Sequence, residues 1–319
     1  MKTIGVLTSG GDAPGMNAAV RSVVRTAISL GMNVKGIRRG YNGLIEGDII
    51  DLSARSVSDI IHHGGTMLYT ARSPRFKTEE GMLEAIATCK KYGIEGIVVI
   101  GGDGSYRGAR DLSLHGIPCV GVPGTIDNDI ASTEYTIGFD TAMNTAVEMV
   151  DKIRDTAQSH DRCSLVEVMG RHAGYLALQT GIAVGASEIL VPELDFKLED
   201  VIQKILTMWR NGKKHFIIVV AEGVGGVDEM AKQIEAATGI ETRSTVLGHV
   251  QRGGNPTVRD RVMATQMGYA AVKLLSEGKG NRVVAYKDGE IVDYDIYEAL
   301  NMKKPFDIDM YEIAQATSI

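Results

Sequence analysis

The most informative stretch of the sequence is a seven-residue turn that carries two carboxylates. It reads Pro123-Gly124-Thr125-Ile126-Asp127-Asn128-Asp129 and follows a short apolar run. Two carboxylates two residues apart are uncommon in a packing element. One could accept the proton of an attacking hydroxyl while the other stays near a metal ion. An Asx turn, in which these side chains bond only to the backbone, is the alternative. The spacing favours general-base chemistry on an alcohol.

Two glycine-rich turns have the composition of phosphate-binding loops. Gly10-Gly11 follows an apolar run at 4–8, and Gly101-Gly102-Asp103-Gly104-Ser105 follows another at 97–100. Without side chains the backbone approaches an oxyanion closely, and a following helix offers free N–H donors. Neither turn is a Walker A loop or a complete GxGxxG motif, so plain strand-to-helix turns remain the alternative. Asp103 could hold Mg²⁺ beside bound phosphates or cap the helix.

Guanidinium groups recur in other turns of this kind. Met169-Gly170-Arg171 follows an apolar run, and His249-Val250-Gln251-Arg252 places an imidazole and a guanidinium together. Three further arginines stand near comparable positions: Arg72, Arg162 and Arg243. Arginine pairs bidentately with phosphate oxygens, although a single surface arginine is usually solvated. Several together predict a phosphorylated substrate besides a nucleotide, with Glu222, at another strand end, suited to sugar hydroxyls.

These turns require strands and helices in alternation to position them. Apolar runs predict buried strands at 4–8, 97–100, 117–122, 165–169 and 216–221. Helices are predicted near 14–30, 140–157, 173–183, 198–211 and 256–277, and Lys287-Asp288-Gly289-Glu290 predicts a hairpin. This alternation indicates an α/β fold with parallel sheets covered on both faces. In such sheets ligands bind beyond the carboxyl ends of the strands, where the polar turns fall.

The composition excludes several classes of protein. The 319 residues are 44% hydrophobic and 23% charged, an ordinary globular balance whose length favours two lobes. A net charge of −6 without a basic stripe speaks against a nucleic-acid partner. Cys89, Cys119 and Cys163 form no CxxC pair, which favours reduced, structural thiols. No signal peptide is evident, and the longest purely apolar stretch, 216–221, is too short to span a bilayer, so we expect a cytoplasmic protein.

Together these motifs resemble those of bacterial ATP-dependent 6-phosphofructokinase, in the family's order and over nearly the whole chain. The family transfers the γ-phosphoryl group of ATP to fructose 6-phosphate, which gives fructose 1,6-bisphosphate in the committed step of glycolysis. The resemblance implies two Rossmann-like lobes, with parallel or mixed sheets flanked by helices and the active site in the cleft between them. Residues 1–138 plus 251–304 would form the larger, ATP-binding lobe, and 139–250 plus 305–319 the smaller, sugar-phosphate-binding lobe.

The resemblance also assigns roles to individual residues. The catalytic set is Asp127 as proton acceptor, with Thr125, Asp129 and Arg171; Asp103 binds Mg²⁺. Contacts to ATP are implied for Gly11, Arg72, Ser73, Gly102, Asp103, Gly104 and Ser105. Contacts to the sugar phosphate are implied for Thr125, Asp127, Arg162, Met169, Gly170, Arg171, Glu222, Arg243, His249 and Arg252. Because Arg162 and Arg243 match residues that reach into a neighbouring subunit's site, a homotetramer is implied.

Single positions indicate the phosphoryl donor and weigh against two alternative functions. Pyrophosphate-using relatives carry an aspartate where this chain has Gly104 and a lysine where it has Gly124. An aspartate at the first position would repel the α-phosphate of a nucleotide, so the glycines favour ATP over a pyrophosphate-dependent enzyme. A non-catalytic nucleotide sensor, the third possibility, would be expected to lose Asp127 or Asp103, and both are present.

An effector site for ADP, an activator, and phosphoenolpyruvate, an inhibitor, is also implied, at a subunit interface. The matching residues are Arg21, Arg25, Arg154, Gly185, Lys213, Lys214 and His215. Where many members have a glutamate and an arginine, this chain has Ser187 and Asn211, and His63 and Tyr175 also depart from the common pattern. We therefore expect an effector site that is present but altered. The alternative for Arg21 and Arg25 is a solvated helix face.

Overall fold

The computed structural model describes residues 1–318 and divides them into two compact units. The first unit consists of Met1–Ile126, Ile130–Thr141 and Arg252–Lys304. The second consists of Asp127–Asp129, Ala142–Gln251 and the residues from Pro305 onward. The chain therefore passes from one unit to the other more than once.

The described residues form strands and helices in near-regular alternation. The strands are β1 Thr3–Ser9, β2 Asn33–Ile37, β3 Ile49–Leu52, β4 Gly96–Gly101, β5 Cys119–Pro123, β6 Cys163–Val168, β7 Glu188–Leu190, β8 Phe216–Ala221, β9 Thr242–Val246, β10 Arg282–Lys287 and β11 Glu290–Asp295. The helices are α1 Met16–Ser29, α2 Gly40–Glu46, α3 Glu79–Tyr92, α4 Asp103–Leu114, α5 Phe139–Ser159, α6 Tyr175–Ala183, α7 Leu198–Arg210, α8 Val227–Thr238, α9 Val258–Ser276, α10 Ile296–Asn301 and α11 Ile308–Thr317.

The first unit is built on a mixed sheet. Over the described residues its strand order is β11-β10-β5-β4-β1-β2-β3, and the central strands β10, β5, β4, β1 and β2 are parallel. The edge strands β3 and β11 run antiparallel, and β11 belongs to the predicted hairpin, which is confirmed. Because the central strands are buried on both faces, they are nearly continuous apolar runs.

The second unit holds a smaller, wholly parallel sheet in the order β7-β8-β6-β9. Strand β8 is buried along its whole length, and α7 and α8 pack their apolar faces onto this sheet. The two sheets with their flanking helices confirm the predicted α/β class with parallel and mixed sheets. No helix among residues 1–318 combines the length and the apolar character needed to cross a membrane.

Helix α9 begins at Val258, two residues after its predicted start at 256, and helices α1 and α6 also begin two residues late, which is about half a turn. Helix α1 begins at Met16 and not at Pro14, because Gly15 takes a left-handed conformation (φ +107°) that no helical residue adopts. Helix α6 begins at Tyr175 and not at 173, because the N–H of Ala173 donates to the carbonyl of Gly170 (2.9 Å) and closes a turn first. In both cases the chain turns sharply after a strand, and the turn delays the helix.

The three cysteines are free and buried. Burial raises the pKa of Cys89 and of Cys163 to about 12, and it raises the pKa of Cys119 as well. A thiol whose pKa lies so far above neutrality carries little thiolate, so these side chains act as small apolar groups in the core.

Candidate active site

Three of the predicted turns lie side by side in the first unit. They follow β1, β4 and β5, which are adjacent parallel strands, so their carboxyl ends share one edge of the sheet. The hydroxyl of Ser105 donates to the carbonyl of Ser9 (3.1 Å), and the N–H of Gly124 donates to the carbonyl of Gly101 (3.1 Å). These bonds fasten the two glycine turns and the start of the carboxylate turn to one another.

Gly101 itself cannot carry a side chain at this edge. A Cβ there would lie 2.4 Å from the Ser105 hydroxyl oxygen and 2.5 Å from the carbonyl of Ser9. By contrast, a Cβ at Gly104 would have no neighbour within 4 Å. The first glycine serves close packing, whereas the second leaves open space beside the amino end of α4, where N–H groups can bind an anion.

The remaining nucleotide candidates approach the same turns. The Thr70 hydroxyl donates to the carbonyl of Gly10 (2.8 Å), and the exposed Arg72 follows two residues later. On the other side, Arg252 donates from Nη1 to the carbonyl of Asp12 (3.1 Å), and a Cβ on Gly11 would lie 2.7 Å from that nitrogen. The structure thus brings most of the implied ATP residues and Arg252 to one edge. Ser73 is held separately, by accepting the N–H of Phe76 (3.3 Å).

Asp103 is the first residue of α4 and leaves its carboxylate exposed. The residue at the cap position is Gly102, and no side chain caps this helix end, so Asp103 does not have the capping role that was the alternative. Desolvation raises the pKa of Asp103, and the positive charge of Arg107 opposes the shift. A divalent cation beside the carboxylate would likewise favour its ionised form. The open position of the side chain fits a Mg²⁺ ion that takes its other ligands from phosphates and water.

The carboxylate turn is supported from behind by a second segment of the first unit. The N–H of Thr125 donates to the carbonyl of Ile137 (3.1 Å), and the N–H of Ile137 donates to the carbonyl of Pro123 (2.9 Å). The Thr136 hydroxyl adds a bond of 2.7 Å to the carbonyl of Thr125. The side chain of Thr125 is 8% exposed, so both its backbone and its side chain are held in place.

The second unit brings Asp127 and Arg171 together. Asp127 is 2% exposed, and its Oδ2 lies 3.6 Å from the Nε of Arg171, whose side chain is half exposed. Arg171 and Asn128 both adopt left-handed backbone conformations, with φ of +54° and +49°. Such conformations are strained for residues other than glycine and occur often at functional sites. The buried carboxylate can take up a proton, and the partly solvated guanidinium beside it can bind an anion.

Further sugar-phosphate candidates gather around Arg171. Strands β6 and β8 are parallel neighbours, and Glu222, just beyond β8, accepts the backbone N–H of Arg171 (3.1 Å). Burial raises the pKa of Glu167, and the negative charge of Glu222 raises it further. Met169 donates its N–H to the amide oxygen of Gln251 (3.2 Å), which ties the Met-Gly-Arg turn to the 3₁₀ turn Gly248–Arg252. His249 lies exposed on that 3₁₀ turn.

Arg162 and Arg243 do not join this group. Arg162 precedes β6, and Arg243 pairs with the second residue of β6, so both lie at the amino ends of their strands. The expectation that they occupy positions comparable to the other turns was wrong, because a residue before a parallel strand lies at the opposite edge of the sheet. Glu241 binds both, at 2.7 Å from the Nε of Arg162 and 2.6 Å from the Nη2 of Arg243.

The effector candidates of the second unit lie partly together. Arg154 donates a hydrogen bond to the carbonyl of Val184, beside Gly185. The pKa of Lys213 is lowered, mainly by burial and then by the positive charge of Arg154. Lys214 stands over the Trp209 ring at 3.9 Å, and Asn211 and His215 flank this basic segment.

Ser187 is 3% exposed and follows Gly185 into β7. Its neighbour Glu188 cannot supply the missing carboxylate, because Lys204 (2.9 Å) and Gln315 already hold that side chain. In the first unit, Arg21 and Arg25 lie on α1, where burial and the neighbouring charge of Arg25 lower the pKa of Arg21.

The chain belongs to the phosphofructokinase family, whose model matches residues 3–275. It is 60% identical over its full length, and over the full length of the relative, to the ATP-dependent 6-phosphofructokinase of Bacillus licheniformis. The enzyme of the same name from Bacillus thuringiensis is 59% identical over both full lengths. The resemblance drawn from the sequence motifs is confirmed.

Solved structures agree with this assignment. The chain matches phosphofructokinase of Saccharomyces cerevisiae with a TM-score of 0.91 at 34% identity, and it spans 50% of that longer chain. It also matches a pyrophosphate-dependent phosphofructokinase of Marinobacter aquaeolei with a TM-score of 0.86 at 25% identity, covering 97% of this chain and 86% of that one. The fold is shared with a relative named as pyrophosphate-dependent, so the fold alone does not identify the phosphoryl donor.

Proposed function

We propose that this protein transfers the γ-phosphoryl group of ATP to the 1-hydroxyl of fructose 6-phosphate, yielding fructose 1,6-bisphosphate and ADP. The observation that carries the proposal is the clustering of phosphate-type turns in the first unit and of Asp127 with Arg171 in the second. Because Thr125 and Asp127 lie two residues apart along one turn, the chain joins the two groups directly. The full-length identity to enzymes named ATP-dependent supports the donor.

In this proposal the first unit binds the nucleotide. The N–H groups of Gly11 and of the amino end of α4 bind phosphate oxygens, and Arg72 and Ser73 complete the contacts. Asp103 would hold Mg²⁺, which when bound screens the charge of the transferring phosphates. The open space beside Gly104 gives room to the nucleotide.

The second unit binds the sugar phosphate and supplies the base. Met169, Gly170, Glu222 and His249 bind the sugar and its phosphate. Arg252 is the remaining residue proposed to bind the sugar phosphate. Asp127 accepts the proton of the attacking hydroxyl, which makes the oxygen a better nucleophile as the bond to phosphorus forms. Arg171 orients the carboxylate of Asp127 before the proton is transferred, and it neutralises charge that develops on the transferred group. Asp129 follows on the same turn.

The test is a coupled assay with fructose 6-phosphate, Mg²⁺ and either ATP or pyrophosphate, with identification of the product. We expect fructose 1,6-bisphosphate with ATP, and loss of turnover when EDTA removes the metal, since the phosphates then lack their counter-charge. Turnover that depends on pyrophosphate and not on ATP would contradict the proposed donor. Tight ATP binding without product would contradict catalysis altogether.

We also propose a cytoplasmic homotetramer, in which Arg162 and Arg243 bind substrate in a neighbouring subunit's site. Their position at the amino ends of β6 and β9, away from Arg171, supports this role. Measurement of the molar mass in solution, together with complementation between Arg162→Ala and Asp127→Ser chains in mixed oligomers, tests it. Mixed oligomers without recovered activity would argue against shared sites.

The effector site is proposed to be present but weak for Mg–ADP. Arg154 and Lys213 supply positive charge, whereas Ser187 is buried and Glu188 is held by Lys204. We therefore expect phosphoenolpyruvate to shift the dependence of the initial rate on fructose 6-phosphate more than Mg–ADP does. Rate curves measured with each compound decide this. Curves that neither compound alters would remove the allosteric role.

A further inference from the structure

A buried carboxylate that none of the proposed roles uses lies behind the carboxylate turn. Asp260, on α9 in the first unit, is fully buried. Its Oδ1 accepts the phenol O–H of Tyr135 (2.5 Å) and the N–H of Gly138 (2.6 Å). Its Oδ2 accepts the N–H (2.9 Å) and the hydroxyl (2.5 Å) of Thr141. Each oxygen therefore binds one backbone N–H and one hydroxyl. Burial raises the pKa of Asp260, and these four donors oppose that shift because they stabilise the ionised carboxylate.

The segment held by Asp260 is the segment that supports the carboxylate turn. Tyr135 and Gly138 bracket residues 136 and 137, and it is Thr136 and Ile137 that bond to the backbone of Thr125. The segment therefore bonds both to this carboxylate and to the backbone of the turn. Gly138 has φ of +104° and a Cβ there would lie 2.6 Å from Ala13, so the segment has little freedom to settle elsewhere.

We propose that Asp260 is a positioning residue for phosphoryl transfer: it fixes the segment 135–138, and thereby the turn that presents Thr125 and, two residues later, Asp127. The inference rests on the proposed roles of that turn. The carboxylate does not touch substrate; it acts through two backbone segments in succession. A purely structural role in attaching α9 would affect stability alone and leave the turn unchanged in the folded enzyme.

The geometry explains why an amide cannot replace this carboxylate. Both oxygens of Asp260 face a backbone N–H, from Gly138 and from Thr141. Asparagine has one acceptor oxygen, so in Asp260→Asn one backbone N–H must face the side-chain NH₂ group and lose its partner. Tyr135→Phe is milder, because it removes one hydroxyl donor and leaves both backbone bonds in place.

The experiment compares Asp260→Asn and Tyr135→Phe with Leu275→Ala, a control on the same helix. Leu275 is fully buried and lies fifteen residues from Asp260, which is about 22 Å along α9. Its truncation lowers stability without touching the segment 135–138. We expect kcat to fall about 100-fold in Asp260→Asn, since a misplacement of about 1 Å has that effect, and several-fold in Tyr135→Phe. KM for ATP should stay within about threefold, because the glycine turns keep their own bonds.

Amide hydrogen exchange of peptides that cover residues 121–138 is measured on the same variants. Exchange there should be faster in Asp260→Asn than in Leu275→Ala, while peptides covering β8 stay alike. Equal kcat and equal exchange in these two variants would overturn the positioning role. If Asp127→Ser retained turnover, the proposed role of Asp127 as the base would fail instead. The exchange data alone would then decide whether Asp260 holds the turn: faster exchange supports it and unchanged exchange overturns it.

Discussion

Asp127→Ser is expected to lower kcat about 10³-fold while fructose 6-phosphate still binds. A positioned general base contributes roughly 10²- to 10⁴-fold to a rate, and a serine hydroxyl does not take up a proton near neutral pH. Asp127 is 2% exposed, so water cannot readily replace it as the acceptor. Binding should persist because the phosphate contacts proposed for Arg171, His249 and Arg252 are retained, and Arg171 loses a partner that competed for its charge.

Steady-state kinetics with both substrates, and equilibrium binding of fructose 6-phosphate, check this result. A matched control is Asp155→Ser, which removes an exposed carboxylate from α5 in the same unit and should leave kcat unchanged. Circular dichroism and thermal unfolding must show that the Asp127 variant is folded. A folded variant with near-normal kcat would rule out Asp127 as the base, whatever the family resemblance implies.

The sequence predicted the turns better than it predicted what holds them. The glycines, Asp103 and the two carboxylates follow apolar strands, and strand order then brings their turns to common edges. The amide oxygen of Gln251 accepts the N–H of Met169. Gln251 lies inside the motif at 249–252, but nothing in that motif distinguishes its role from that of its neighbours. Asp260 lay outside every motif, because its partners are 119 to 125 residues away along the chain.

Other elements escaped prediction for physical reasons. Strands β2, β3 and β9 have only four or five residues and include polar residues or a glycine, so they lack the continuous apolar run of a central strand. Arg162 and Arg243 were misplaced because spacing along the chain does not reveal which end of a parallel strand a flanking arginine occupies. Pairing partners decide that, and they are a property of the folded sheet.

Gly104→Asp is expected to raise KM for ATP roughly 10- to 100-fold and to leave the fold intact. An added Cβ at Gly104 has no neighbour within 4 Å, and a carboxylate near the amino end of α4 is favourable for the helix. The same charge repels the phosphates proposed to bind there. Two like charges about 4 Å apart interact by about 1 to 4 kcal/mol near a protein surface, and each 1.4 kcal/mol corresponds to tenfold in affinity.

Gly104→Asn is the matched control, because asparagine has nearly the shape of aspartate without its charge. If charge repulsion causes the effect, Gly104→Asn should leave KM for ATP within about threefold of the unsubstituted enzyme, whereas Gly104→Asp should raise it. An equal rise of KM for ATP in both variants would show that the size of the added side chain, and not its charge, weakens ATP binding. KM for fructose 6-phosphate should not change in either, since the residues proposed for it lie outside α4. A wild-type KM for ATP in both variants would place the nucleotide's phosphates away from this helix end and contradict the proposed ATP site.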